Sequence, residues 1–226
     1  MIPLLAAVLA LAQAPAVREH VLGRSWDGRL IRAVEVGDAR AARKILVVGC
    51  IHGNEPAGIV VVEALRTMRA PTGVDLWLVP DLNPDGVRAD TRQNGHGVDL
   101  NRNFPYRWYR DGRPWDTFYT GPHVLSERES RIAYRLILRL HPAVSIWYHQ
   151  HQDLVRSGGG SEATARRYAR LVGMRYSRLP VPRGAATGWQ VGRFPGTSAF
   201  VVELPAGRLS AAATRRHARA VLRIAA

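Results

Sequence analysis

Residues 45–50, Ile-Leu-Val-Val-Gly-Cys, form an unbroken apolar run. A strand with one wet face alternates apolar and polar residues; a run without alternation belongs to a strand covered on both faces. Val74–Val79, Ala143–Tyr148 and Ser198–Val202 read as further strands of this buried kind. Between them lie segments with helical features: Pro56–Arg69, with Ile59, Val62, Leu65 and Met68 on one side, then Ser126–Leu140, Glu162–Leu171 and Ser210–Ile224. Strands alternating with helices predict an α/β fold, a sheet with helices on its faces. Such sheets gather their sites beyond the carboxyl ends of the strands. The residues that follow each apolar run therefore matter most.

The remaining punctuation is local. Asp27-Gly28 predicts a hairpin turn between two short strands within 20–37. Asn83-Pro-Asp-Gly86 predicts a turn closing the second buried strand. Ser126 and Glu129 are spaced as a capping box for the helix they open. Residues 88–121 form a long polar stretch with several glycines and aromatics.

A chain of 226 residues, 46% hydrophobic and 22% charged, suits one domain with a substantial core. Residues 1–17 are set apart from residues 18–226, which read as a single domain. The segment Met1–Ala16 is apolar and ends in small residues, with Ala12-Gln13-Ala14 as a cleavage site, so it reads as an export signal. No basic residue precedes Arg18, and the missing basic start places the expected initiation codon upstream. Export would make the protein periplasmic or extracellular; without a signal it would be cytoplasmic. The segment can also serve as a retained N-terminal anchor, and no other run is long and apolar enough to span a membrane.

The formal net charge is +14, and Lys44 is the only lysine. That balance favours anionic partners such as a cell-wall polymer. The arginines are scattered over the chain rather than gathered on a basic helix or among aromatics, which argues against nucleic acid. Cys50 is the only cysteine, so neither an intramolecular disulfide nor a thiolate metal site can form.

Each strand end then delivers chemistry. The first runs into His52-Gly-Asn-Glu55-Pro56, where a turn can bring imidazole and carboxylate to one ion while Pro56 opens a helix. By itself His-x-x-Glu is a weak pattern, better explained by a polar turn that caps a helix. A catalytic zinc takes a third protein ligand. The strand ending in His149-Gln-His151 offers two candidates of the same parity, which spacing does not separate. Glu203 ends the last strand just before Leu204-Pro205; a carboxylate there costs free energy unless it is paired or useful. In 90–105, Arg92, Asn101 and Arg102 are suited to gripping a carboxylate or an oxyanion.

Taken in order, His52-Gly-Asn-Glu55, Asp81-Leu-Asn-Pro-Asp-Gly86, Gly97-Val-Asp-Leu-Asn-Arg-Asn-Phe-Pro105, Ser145-Ile-Trp-Tyr-His-Gln150 and Val201-Val-Glu-Leu-Pro205 resemble the zinc metallocarboxypeptidases. The resemblance runs from about Val34 onward. In size and in His52–Gly58 it is nearest the bacterial murein peptide amidase branch, which cleaves the γ-D-glutamyl–diaminopimelate bond. It implies a three-layer α/β/α sandwich with a mixed, mostly parallel central sheet, and one Zn2+ held by His52, Glu55 and His149, with His151 as the fallback. It further implies Glu203 as the catalytic base and Arg92 as the polariser of the scissile carbonyl. Asn101 and Arg102 become the clamp on the substrate carboxylate, with zinc-activated water as the attacking group and peptide, in particular murein peptide, as substrate.

Two departures stand out. Relatives commonly carry a tyrosine in the loop before the catalytic glutamate, and none lies between Leu179 and Phe200; Trp189 is the candidate to cover the site, with packing as its alternative role. Digestive-type members place an arginine where this chain has Asn54. The competing readings are a general carboxypeptidase on ordinary peptides, an amidoacid deacylase of the aspartoacylase and succinylglutamate desuccinylase kind, and a non-catalytic wall-binding module.

Overall fold

The computed structural model describes residues 17–226, so the expected signal segment lies outside the described residues except for Val17. Val17 already belongs to the domain: it opens strand β1 (Val17–Arg24) and pairs with Val36 of β2 (Leu30–Gly37). The hairpin turns at Asp27-Gly28, where Gly28 takes φ 84°.

The buried strands form as expected, as β3 (Arg43–Val48), β4 (Val74–Val79), β5 (Val144–Gln150) and β8 (Ser198–Leu204). Two short strands escaped the sequence reading, β6 (Leu154–Ser157) and β7 (Arg175–Arg178). All eight join one sheet in the order β1-β2-β4-β3-β5-β8-β6-β7. The central four, β4-β3-β5-β8, run parallel; β1 and β2 are antiparallel at one edge, and β6 is antiparallel to β8 at the other.

Helices cover both faces. On one lie α1 (Ala57–Arg66), α4 (Glu162–Val172) and α6 (Ala211–Ala225), which bury Val61, Leu65, Tyr168, Val221 and Ile224 against Ile45, Ile146, Tyr148 and Val202. On the other lie α3 (Arg128–Leu140) and α5 (Ala186–Arg193), with Leu136, Ile137 and Trp189 packed on Leu46, Val48, Trp147 and Val201. Alternate residues of each central strand therefore face different cores, which explains why these strands show no polar alternation.

Two local expectations are corrected. Asn83–Gly86 is the start of a short helix α2 (Pro84–Ala89), with the Asn83 side chain accepting from Gly86 N. Asn is a strong helix cap and Pro at the first position needs no donor, so the same residues serve a helix start as well as a turn. The capping box is absent as well. Helix α3 begins at Arg128 without a side-chain cap, because Glu129 accepts instead from Trp26 N and Asn94 Nδ2, and Ser126 Oγ donates to Glu127.

Candidate active site

The turn after β3 is pinned from several sides. Cys50 O accepts from Leu82 N, Ile51 O from the Asn83 amide, and Thr91 O from Asn54 N. Gly53 presses against the α2 backbone; a methyl group there would collide with the Gly86 carbonyl carbon and the Val87 nitrogen. The result is a rigid loop with His52 and Glu55 turned inward, both buried. Strand β5 brings His149 to the same point, also buried.

The three ligand atoms form a small triangle. His149 Nδ1 lies 2.8 Å from Glu55 Oε2, His52 Nδ1 lies 3.0 Å from the same oxygen, and the two Nδ1 atoms are 3.1 Å apart. Tetrahedral zinc with ligand bonds near 2.0–2.1 Å has edges of about 3.3 Å, so the cluster fits that ion with a small expansion. Among the described residues this is the one such metal-ligating group. His151 is exposed and stands outside it.

Outer residues fix the inner ones. His52 Nε2 faces Asp99 Oδ1 at 2.9 Å, the carboxylate–histidine arrangement that orients a metal-binding ring. Arg92 bridges Glu55 Oε1 and Asp99 Oδ2, both at 2.9 Å. Gln150 N donates to Glu55 Oε2, and its side chain ties Ala57 N to the carbonyls of Pro205 and Gly207. Asp99 and Gln150 had no assigned role in the sequence; Asp99 lay inside the quoted motif, and its spacing from His52 gave no sign of contact.

The charges balance around this triangle. Burial opposes ionisation of Glu55, yet the bonds from His149 and His52 outweigh it and hold the carboxyl well below its usual range. Burial likewise opposes the Asp99 charge, but His52, Arg92 and Arg102 drive that carboxyl down. Burial lowers His149 to about 4 despite Glu55, which leaves its ring neutral and able to ligate at pH 7. Burial opposes the His52 charge, but Asp99 and Glu55 together outweigh it and raise its pKa.

Glu203 pairs in register with His149 across β5 and β8, so its side chain leaves the sheet on the same side. It is buried, and desolvation raises its pKa. Its Oε2 has no hydrogen-bond partner. Asn101 approaches His149 Nε2 at 3.4 Å, and its Oδ1 accepts from Ala186 N. Arg102 is held by its contact with Asn101 O, and burial lowers its pKa. The exposed Phe118 ring lies under both Arg92 and Arg102, 5.3 and 5.0 Å from the guanidinium carbons. Trp189 does not cover the site: it is buried in the core beside Tyr134, Phe104 and Phe194. The structure thus brings His52, Glu55, His149, Glu203, Arg92, Asn101 and Arg102 to one end of the sheet.

Several known proteins resemble this chain in sequence or fold. Murein peptide amidase A of Escherichia coli (strain K12) is 35% identical over 116 residues, 46% of this chain and 48% of that protein. The human carboxypeptidase Z is 30% identical over 118 residues, 39% of this chain and 18% of that one. These matched stretches span about half or less of the curated relatives. Among solved structures, murein-tripeptide amidase MpaA from Escherichia coli O157 superposes with a TM-score of 0.72 at 23% identity, covering 92% of this chain and 91% of that one. Carboxypeptidase A from Helicoverpa armigera gives 0.76 at 19% identity over 94% of this chain and 68% of that one. A succinylglutamate desuccinylase from Silicibacter sp. TM1040 gives 0.66 at 19%, covering 96% and 68%. These likenesses establish a shared fold. The zinc carboxypeptidase family model matches residues 5–170, more than half the chain and a stretch that contains His52, Glu55 and His149, and this protein belongs to that family of hydrolases.

Proposed function

We propose that this hydrolase cleaves the γ-D-glutamyl–diaminopimelate bond of murein peptides. The supporting observation is the similarity to murein peptide amidase A at 35% identity, beside a solved amidase structure of nearly equal extent. The larger carboxypeptidase A keeps about a third of its chain outside the match. An export signal in the N-terminal apolar segment would bring the enzyme to the wall, and a chain of net charge +14 suits an anionic polymer there.

His52, Glu55 and His149 would hold the zinc, which when bound polarises a carbonyl and lowers the pKa of water toward neutrality. The remaining work falls to side chains of this chain. Glu203, desolvated and with a free oxygen, accepts a proton from the attacking water and passes it to the leaving amine. Arg92 offers charge to the oxyanion, and Asn101 and Arg102 receive the carboxylate of the residue to be released. Phe118 lies against both arginines and can help hold their guanidinium groups in place.

The test is product analysis by mass spectrometry. The zinc-loaded protein is incubated with L-Ala-γ-D-Glu-meso-diaminopimelate, with an ordinary L-peptide and with short N-acyl amino acids. Free diaminopimelate from the tripeptide is expected. Cleavage of the L-peptide alone would make the protein a general carboxypeptidase, and release of acyl groups alone a deacylase.

A further inference from the structure

Arg156 is the charged group near the site that the mechanism leaves unused. It sits on β6 opposite Val201 of β8, two residues from the Leu154 that pairs with Glu203. Its side chain is mostly buried, and its Nε lies 3.1 Å from Glu203 Oε1. That approach does not amount to a hydrogen bond: Arg156 Nε and Glu203 Oε2 are both buried without a partner. Buried polar groups left open are uncommon and call for an explanation; the proposed role as base accounts for Glu203 Oε2, and Arg156 Nε remains without one.

What lies in front of Arg156 is a recess. It shares a small cavity of about 20 Å³ with Asn101, Val201, Thr187, Leu179 and Val181. That volume holds one or two waters. It suits a carboxylate head and is far too small for a bulky apolar side chain. The recess begins at Asn101, where the main carboxylate of the released residue is received in the proposed mechanism. A second anionic group on the same residue would therefore reach Arg156 from inside the site. Arginine presents a planar set of donors that matches a carboxylate, and its interaction is strong where water is excluded.

We propose that Arg156 is the receptor for a second carboxylate, on the side chain of the residue released, and so selects dicarboxylic amino acids at that position. The proposal rests on the carboxypeptidase-type reading of the site and narrows its substrate: diaminopimelate carries such a distal carboxylate, and lysine is the same chain without it.

The experiment compares L-Ala-γ-D-Glu-meso-diaminopimelate with L-Ala-γ-D-Glu-L-Lys in the wild type, Arg156→Leu and Arg156→Lys. A charge-assisted contact in a desolvated site gives the wild type a kcat/KM preference for diaminopimelate of about 30- to 100-fold. Arg156→Leu is expected to collapse that ratio to within a few-fold, and Arg156→Lys to keep part of it. Calorimetric binding of free meso-diaminopimelate against free L-lysine gives a readout without turnover, with the same order among the three proteins. Far-ultraviolet circular dichroism checks that each is folded, and Arg156→Lys carries the test should the leucine variant fail to fold. Equal loss on both tripeptides, with the ratio intact, would overturn the proposal and leave Arg156 a positioning residue for Glu203. A wild type that does not distinguish the two would overturn it too, while leaving the wall reading in place. If neither tripeptide is cleaved but diaminopimelate binds and depends on Arg156, the wall reading falls and this proposal stands.

Discussion

At the scale of single residues, the proposed mechanism divides the site into groups that would touch the metal, groups that hold those, and groups that would meet the substrate. Glu203→Gln keeps the shape of the side chain and removes its ability to take a proton. It should lower kcat by about 10²- to 10⁴-fold while zinc content, read by inductively coupled plasma mass spectrometry, stays at the wild-type level. Asp99→Asn acts one step further out. It removes the charge that orients His52 across 2.9 Å, and zinc affinity measured by chelator competition should fall roughly 10- to 100-fold. His52 and Glu55 in the turn after one buried run, the His149–His151 pair and Glu203 stand out in the sequence because a polar group at the end of a buried run needs a reason, while the choice of His149 and the role of each came from the family resemblance. Asp99, Arg156 and Phe118 do not. They reach the site from a loop, a four-residue strand and a surface stretch, and only the folded chain brings them near.

At the scale of elements, the ligand-bearing turn depends on backbone contact as much as on ligand chemistry. Gly53 has no room for a side chain against α2. Gly53→Ala should push the turn away from Asn83 and Gly86 and weaken zinc binding, with the melting temperature of the zinc-loaded protein falling further than that of the zinc-free one. The wild type binds metal better, and stabilisation by a ligand scales with its affinity. The start of α6 offers a milder case. Ser210 accepts from Ala213 N, and Ser210→Ala should cost about 1 kcal/mol in urea unfolding without touching kcat. The long elements were legible because they sum many consistent residues. The elements that were not have physical reasons. Strand β7 is Arg-Tyr-Ser-Arg, an edge strand with no fully buried residue. Strand β6 has four residues, too few to show a period. Helix α5 carries two glycines, and Gly188 is kept because a side chain would strike the Tyr106 ring. At the head of α3, Ser126 and Glu129 fit a capping pattern, but Ser126 is taken by Glu127 and Glu129 by partners distant in sequence, Asn94 and Trp26.

At the scale of the whole molecule, acid should loosen the fold from two separate places. Glu35 bridges Arg18 and His20 on the β1–β2 edge, and the Arg18 bond, against the opposing effect of burial, holds its carboxyl down at about 2 rather than 4.5. Between those values the unfolded chain binds a proton that the folded one does not, so this stability is present above pH 4.5 and is lost as the pH falls through 2. His217 lies in a buried chain with Tyr168 and Tyr148, at 2.8 and 2.7 Å, and burial lowers it to about 4. Its contribution is present above pH 6.5 and is lost as the pH falls to 4. The stability difference between the wild type and His217→Gln, followed by urea unfolding, should therefore shrink across that upper window by at most about 3 kcal/mol. A difference that stayed flat from pH 6.5 to 4 would contradict the assignment. No covalent cross-link shares in any of this, because the sole thiol, Cys50, is buried with its Sγ donating to the carbonyl of His52. That placement makes the thiol a clock. A maleimide can reach it only when the metal-binding turn opens, so the labelling rate of the unmodified protein reports how often that turn breathes, and occupancy of the site should slow the clock in proportion to the affinity of whatever fills it.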